Sequence, residues 1–447
     1  MYLKSSRLPA ERASKLGHLE VVDSELVKNL IEQFQSSTIL KKEYGGKWLK
    51  FNSNEKPLNI IYCVDGSLQT ITSDTIPPRE LSFIKVALLT LDKYALDNID
   101  KKYPHPLDLK KVMSNSAVYH STVFPLKGIS LENMNNYNAV RKIIFDSFND
   151  KKLDAEPMNT LKWIIYEKWE ENKNNISPSF ECPHCEEQIN GLKYDTVEDN
   201  CPHCKNKIYI TDIIGFHLDM TEEHTPNTVA SAYMLVYETI LLFTPIRFYW
   251  ESKNFKTLED TFFLKDGPLS LNSQYSKLVI PIRRFFEYAK NKNIFIYIAG
   301  QEKTGSFVEH LEIISKKIVV EENEKGTMYF IPNNEYIDHN IRIKPNKKEP
   351  YGHRVNYGNK IFISTSKYHQ IVLSIPTGKY MDTNNINDLI GIEKIIKTVE
   401  TLVSHKHQGA LIPIQLANGI ASLSTYPSAK VLNLFSSKVF DSTGEAS

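Results

Sequence analysis

Two Cys-Pro-His-Cys knuckles, Cys182 to Cys185 and Cys201 to Cys204, stand fifteen residues apart, and nothing else in the sequence restricts the chain so tightly. Each Cys-x-x-Cys turn presents two sulfurs to one side, and a hairpin that brings two such turns together builds the tetrahedral thiolate cage of a zinc ribbon. Four thiolates leave no open coordination position, so the expected ion is structural Zn²⁺. His184 and His203, inside the knuckles, are expected to flank the metal. The alternative is two pairs of free redox or core cysteines. Cys63, the fifth of five cysteines, sits alone in an apolar run and reads as a core residue. A chain this long and this poor in cysteine is no disulfide scaffold. The acidic Glu186, Glu187, Glu198 and Asp199 argue against the ribbon as a strong DNA-binding patch.

The 54 basic and 53 acidic side chains nearly cancel. That excludes a uniformly basic nucleic-acid coat protein. It leaves room for a nucleic-acid enzyme whose basic groove and acidic metal site offset each other. The length of 447 residues exceeds what one core usually supports. The first fifteen residues are polar and lack the apolar segment of a signal peptide. The longest apolar stretch, Val229 to Ile246, is broken by Glu238 and Pro245, and fits a buried helix better than a bilayer span. A cytoplasmic protein without a membrane segment is expected.

Periodicity predicts a helix over 23–37 with a Leu26, Leu30, Ile31 and Phe34 stripe, capped by Asp23 or Ser24. A strand over 58–64 is expected to end at Asp65-Gly66-Ser67, and a second follows at 83–91, as in an antiparallel meander. Residues 133–171 look helical. A helix over 228–243, a strand over 261–265 ending at Asp266-Gly267, a helix over 276–291 and a strand over 294–299 suggest an α/β layer structure. Two strands within 360–376, a helix over 389–404 and a frayed last dozen residues complete the pattern. The expected organisation is an N-terminal helical extension (1–55), a first core segment (56–175), a zinc ribbon insertion (176–215), a second core segment (216–430) and a tail (431–447).

Asp65 and Asp266 share a context, an apolar run before and a glycine after. Alone, each Asp-Gly is more often a turn than a ligand pair. Together, at the ends of two buried strands, they are candidates to converge on one Mg²⁺ or Mn²⁺, which prefer oxygen ligands. Such a cation polarises a phosphoryl oxygen and acidifies a bound water, as phosphodiester hydrolysis requires.

The sequence resembles the NurA family of DNA nucleases, whose core is RNase H-like. The resemblance spans about Leu58 to Leu423. It rests on the strand ending in Asp65-Gly66-Ser67, a glutamate-bearing helix, the strand ending in Asp266-Gly267-Pro268-Leu269, and the element from Gly300 to Lys303. It implies an α/β fold with a mixed sheet flanked by helices, here carrying an inserted four-cysteine zinc ribbon that many members lack. It also implies a metal-dependent enzyme that trims DNA ends, a homodimer, and a HerA-type hexameric ATPase as partner. By resemblance Asp65 and Asp266 are metal ligands. Glu238, on an apolar helix where an unpaired carboxylate is costly, is the third, with Glu251 in reserve and a partly exposed helix edge as the bland alternative. Lys303 is a candidate phosphate contact, with a surface lysine as the alternative. The sequence departs from the family where a tyrosine and a histidine are expected: Ala410 and Asn418 stand there. Asn418 can offer an oxygen or a hydrogen bond but no general base. His405 and His407, just upstream, are the candidate substitutes.

Other signals are weaker. Gly300 to Ser306 lacks the lysine of a P-loop, so ATP hydrolysis would belong to a partner. His217 and His224 read as surface side chains, and Phe248, Tyr249 and Trp250 as core. Ile341 to Arg354 is the best basic track for phosphates, or a solvated loop. The expectation is thus a cation-dependent DNA nuclease for end processing or defence against foreign DNA. A catalytically silent DNA-binding scaffold of an ATPase complex is the alternative, and an RNA nuclease stays open.

Overall fold

The computed structural model describes residues 24–33, 48–94, 117–129, 131, 134–171, 174–321, 326–342, 349–366, 369–382, 385–404, 409–423 and 428–442. The chain divides into two compact units, Met1–Gly45 and Gly46–Ser447. In the first, helix α1 (Glu25–Gln33) begins where the Ser24 carbonyl accepts the Lys28 N–H at 3.0 Å. Its Leu26, Leu30 and Ile31 are exposed. Asp23 and residues 34–37 of the expected helix lie outside the described residues.

The second unit is built on a mixed sheet whose strands follow the period-2 apolar runs of the sequence. They are β1 (Leu49–Lys50), β2 (Ile60–Thr72), β3 (Glu80–Asp92), β4 (Ala117–Lys127), β9 (Thr261–Asp266), β10 (Tyr297–Glu302), β11 (Met328–Phe330), β12 (Asn359–Ser366) and β13 (His369–Ile375). Their order is β1-β11-β12-β13-β10-β9-β2-β3-β4. β2 and β3 form the expected antiparallel pair, and β4, a strand the sequence reading did not single out, extends it into a meander. At the centre, β9 runs parallel to both β2 and β10. Between β4 and β9 come two small hairpins, β5 (Phe180–Glu181) with β6 (Gln188–Ile189) and β7 (Glu198–Asn200) with β8 (Lys207–Tyr209). The remaining helices are α2 (Asn136–Phe148), α3 (Glu156–Ile165), α4 (Asn227–Glu251), α5 (Phe255–Leu258), α6 (Val279–Asn291), α7 (Ser306–Glu321), α8 (Asn334–Asn340), α9 (Ile392–Leu402), α10 (Ile412–Ala421) and α11 (Ser428–Ser442).

A core lies on each face of the sheet, as alternation along a strand requires. Val64 and Phe263 pack with Val236, Ile240 and Phe243 of α4 and with α2, α3 and α6. Ile61, Cys63, Phe262 and Leu264 point the other way, toward Ile395 and Val399 of α9 and Ile414 and Ala417 of α10. Cys63 is fully buried, as expected. Helix α4 is long and apolar enough to cross a membrane, but 72% of its most apolar window is buried within the fold. It is the core helix of the first face.

The structure corrects several expectations. β2 does not stop at Asp65-Gly66-Ser67: it runs on to Thr72, because β3 continues to pair with it as far as Glu80. Only its pairing with β9 ends there, at Val64↔Lys265. The second Asp-Gly behaves as expected: β9 ends at Asp266, and Gly267 takes φ +90°, a backbone conformation that favours glycine. Of the last dozen residues, expected to fray, 436–442 belong to α11, with Phe440 buried against Ile71 and Leu81, and 443–447 lie outside the described residues. His217 is buried rather than on the surface, with neither ring nitrogen hydrogen-bonded, and burial pushes its pKa down to about 4. His224 is exposed. Of the three consecutive aromatics, Phe248 is exposed and the other two pack against the first core.

Candidate active site

The parallel register that pairs Val64 with Lys265 carries Asp65 to the side of Asp266 on the neighbouring strand. Both aspartates belong to the alternation set of Cys63 and Leu264, so both side chains face the α9 and α10 side. The two strands stop pairing at this step, yet the charge of Asp266 still acts on the Asp65 carboxyl, which puts the two side chains near each other. Asp65 is 5% exposed. Its Oδ1 accepts the Gly66 N–H at 2.8 Å, and its Oδ2 is buried with no hydrogen-bond partner. Burial first, then the negative charges of Asp266 and Glu238, raise its pKa from 3.8 to about 8, although Lys303 and the Gly66 N–H lower it.

Two further groups complete the row. Lys303, immediately after β10, places its Nζ 2.5 Å from Asp266 Oδ2, with the lysine side chain 32% exposed. Gln301 stands in register with Asp266 on β10 and is fully buried. Its Nε2 donates to the Gly409 carbonyl and its Oε1 accepts the Leu411 N–H at 3.3 Å, so it fixes the entry of α10. At the exit, the Leu423 N–H donates to Ser67 Oγ at 3.1 Å and Lys85 Nζ donates to the Ile420 carbonyl at 2.5 Å. Helix α10, which packs on β2, β3 and β9, is therefore tied down on both sides of the aspartate pair. Ala410 is buried, and Asn418 is exposed on α10. His405 and His407 lie outside the described residues.

Glu238 approaches from the opposite face. It is 2% exposed on α4, and its Oε1 stands 2.6 Å from where a Cβ on Gly66 would be. The other oxygen of its carboxylate, Oε2, accepts from Lys265 Nζ, and Lys265 also donates to the Asp266 carbonyl at 3.1 Å. Burial raises the Glu238 pKa, against the opposing effect of Lys265. Glu238 thus reaches the gap where β2 and β9 part company, but as half of a buried ion pair. Glu251, the reserve candidate, is thirteen residues along α4, about 20 Å at 1.5 Å per residue. It pairs there with Arg247 at 3.1 Å and is not brought to the site. Of the basic track, Lys344, Lys347 and Lys348 lie outside the described residues, and Arg354 is within 3.8 Å of Glu349.

Sequence reasoning missed Lys265 and Gln301. A lysine inside the run Phe262-Phe263-Leu264-Lys265 signals a buried cation that needs a carboxylate partner. Gln301 carries no comparable signal.

The four knuckle thiols form a second cluster, with all sulfurs within 4.8 Å of one another. Across the knuckles Cys182–Cys204 and Cys185–Cys201 are each 3.8 Å apart. That is the edge of a tetrahedron whose corners lie about 2.3 Å from a central Zn²⁺. The cluster can hold a metal ion. The His184 backbone N–H donates to Cys182 Sγ at 3.4 Å and its ring Nε2 stands 3.0 Å from Arg141 Nη1, while His203 is exposed. Arg141 also pairs with both oxygens of the buried Asp212, at 3.0 and 2.8 Å.

No family model matches the chain, and no curated protein matches it. Among solved structures it is similar to the NurA nuclease from Sulfolobus solfataricus, at 8% identity over 98% of each chain with a TM-score of 0.36. A second NurA structure is 12% identical over 95% of this chain and 97% of that one, with a TM-score of 0.27. A structure of NurA bound to dAMP and manganese is 12% identical over 94% and 96%, with a TM-score of 0.25. Identities and scores at this level leave the functional reading to the geometry of the carboxylates.

Proposed function

We propose that this chain is a divalent-cation-dependent nuclease of the NurA type that hydrolyses DNA phosphodiester bonds. The observation that carries the reading is the Asp65–Asp266 pair. Two carboxylates side by side, one with a buried oxygen that no protein donor satisfies, are a poor arrangement for a metal-free core and a good one for a hard cation. Mg²⁺ or Mn²⁺ held there supplies a Lewis acid for the phosphoryl oxygen and lowers the pKa of a bound water. Asp65 and Asp266 hold the cation from one face. Glu238 contributes its carboxylate from the other face and is oriented by Lys265. Lys303 offers an ammonium at the exposed rim for the phosphate. Asn418 offers a hydrogen bond from α10.

The four thiols of residues 176–215 bind structural Zn²⁺, and core segments 56–175 and 216–430 assemble around that insert. A homodimer, a HerA-type ATPase partner, and a role in end processing or defence belong to the same reading. They follow from the sequence resemblance.

Cleavage of linear and single-stranded DNA with Mn²⁺ or Mg²⁺ tests the proposal, with Asp65→Asn and Asp266→Asn as controls. Loss of cleavage in both variants supports it. DNA binding without cleavage in every cation favours the second reading, a scaffold subunit, for which the exposed Asn418 and buried Ala410 in place of histidine and tyrosine speak. Parallel RNA substrates decide the sugar.

A further inference from the structure

The fold treats the two lysines of the site differently. Lys265 is fully buried on the α4 face, paired with Glu238 and bonded to its own strand's end, and has nowhere to go. Lys303 lies in the irregular link between β10 and α7, two residues before Gly305 at φ +100°. Its side chain is partly exposed, and its ion-pair partner is Asp266. Charge counting separates them further. Asp65, Asp266 and Glu238 ionised together with Lys265 leave a net charge of about −2, the complement of one divalent cation. With Lys303 on Asp266 the balance is about −1, which a divalent cation overshoots.

We propose that Lys303 is a placeholder for the metal: its ammonium neutralises Asp266 in the metal-free protein, is displaced when a divalent cation binds at Asp65 and Asp266, and is thereby released to the phosphate of the incoming strand. The inference rests on the metal reading of the aspartate pair. It adds that loading the cation and arming the phosphate contact are one event. A fixed lysine such as Lys265 cannot do this. A lysine at the rim of the site can swing outward without unpacking either core. Lys303 makes and breaks no covalent bond in the exchange. One ion pair is traded for metal–oxygen contacts, and a free ammonium meets a phosphodiester.

The test is Mn²⁺ affinity of the full chain with its zinc retained and no DNA present, read from the EPR signal of free Mn²⁺. Wild type is compared with Lys303→Met, Lys303→Arg and Asp65→Asn. Removing a competing positive charge next to the ligand makes Lys303→Met bind Mn²⁺ about tenfold tighter or more. Lys303→Arg, which keeps the charge, stays near wild type. With cation saturating, the KM of Lys303→Met for a single-stranded oligonucleotide rises, because the released ammonium is gone. If Lys303→Met binds Mn²⁺ no tighter than wild type while Asp65→Asn abolishes binding, the placeholder role is overturned and the metal site stands. If Asp65→Asn leaves Mn²⁺ binding unchanged, both fall. An unchanged KM overturns the transfer to phosphate.

Discussion

Glu238 Oε1 occupies the space that a side chain on Gly66 would need, 2.6 Å from an ideal Cβ. The glycine after Asp65 is therefore not a turn glycine: its strand continues, and what it provides is room for the carboxylate of α4. Met234 also crowds the position, its Cγ at 2.6 Å and its Sδ at 2.9 Å. Met234 is flexible, whereas Glu238 is held by Lys265. Gly66→Ala is expected to cost about 1–3 kcal/mol, the usual range for overpacking a core, and to weaken any metal site that uses Glu238. Urea unfolding measures the first effect. A change within about 0.5 kcal/mol, the size of an ordinary surface substitution, would show that the gap is not filled as described.

The Lys265–Glu238 pair makes a separate prediction. Both side chains are essentially excluded from solvent, so removing one leaves the other as an uncompensated buried charge. Lys265→Met is expected to destabilise by about 3–5 kcal/mol. Adding Glu238→Leu to it is expected to restore much of that loss, because an apolar pair avoids the desolvation of both ions. A double-mutant cycle in denaturant reads the coupling. If the two losses simply add, the carboxylate and the ammonium are not partners.

The meeting of Asp65 and Asp266 was legible in the sequence because each closes an apolar run, and two such runs in parallel bring their ends to one edge. The local meaning of the two Asp-Gly pairs was not. Dipeptide chemistry is identical at 65–66 and 266–267, and only the long antiparallel partner β3 keeps the first one extended. Glu238 stood out as a charge within apolar α4. Its partner lay in a different element, on the opposite side of the alternation from Asp266, and pairing across elements is invisible to local periodicity. Gln301 is a stronger case. It looks like any polar residue at a strand end until register with Asp266 and the return of the chain at Gly409 give it two backbone partners. The knuckles were legible because metal geometry fixes spacing directly. The burial of His217 was not, since its short segment carries no period.

The segment that carries the four knuckle thiols is fastened to α2 rather than loosely attached. Tyr137 donates to the Pro183 carbonyl at 2.7 Å, Arg141 donates to the Lys207 carbonyl at 3.1 Å, and Cys182 and Cys201 are buried in the same core as α4. Zinc removal should therefore be felt by the whole second unit. The purified chain is expected to hold about one zinc, and a strong chelator to lower Tm by several degrees, since binding free energy at a structural site is folding free energy. Cys204→Ser should act in the same direction. Elemental analysis without zinc, or a Tm indifferent to the chelator, would overturn the assignment.

The pH dependence of the site follows from Asp65. Burial, and then Asp266 and Glu238 beside it, push its carboxyl from the ordinary 3.8 up to about 8 in the folded protein. Between these values the folded state keeps a proton that the unfolded chain has released. The contribution of Asp65 to stability is thus fully present below about pH 4 and is lost as pH rises toward about 8. A divalent cation needs the ionised form and must expel that proton. Its apparent affinity is expected to climb about tenfold per pH unit up to about pH 8 and then level off. Mn²⁺ titrations from about pH 6 to 8.5, with Tm measured with and without the cation, test both halves. Asp65→Asn should flatten the Tm profile of the metal-free protein in this window. A wild-type affinity that does not move with pH would mean that Asp65 is already ionised in the folded protein, and that no proton stands between the cation and its ligands.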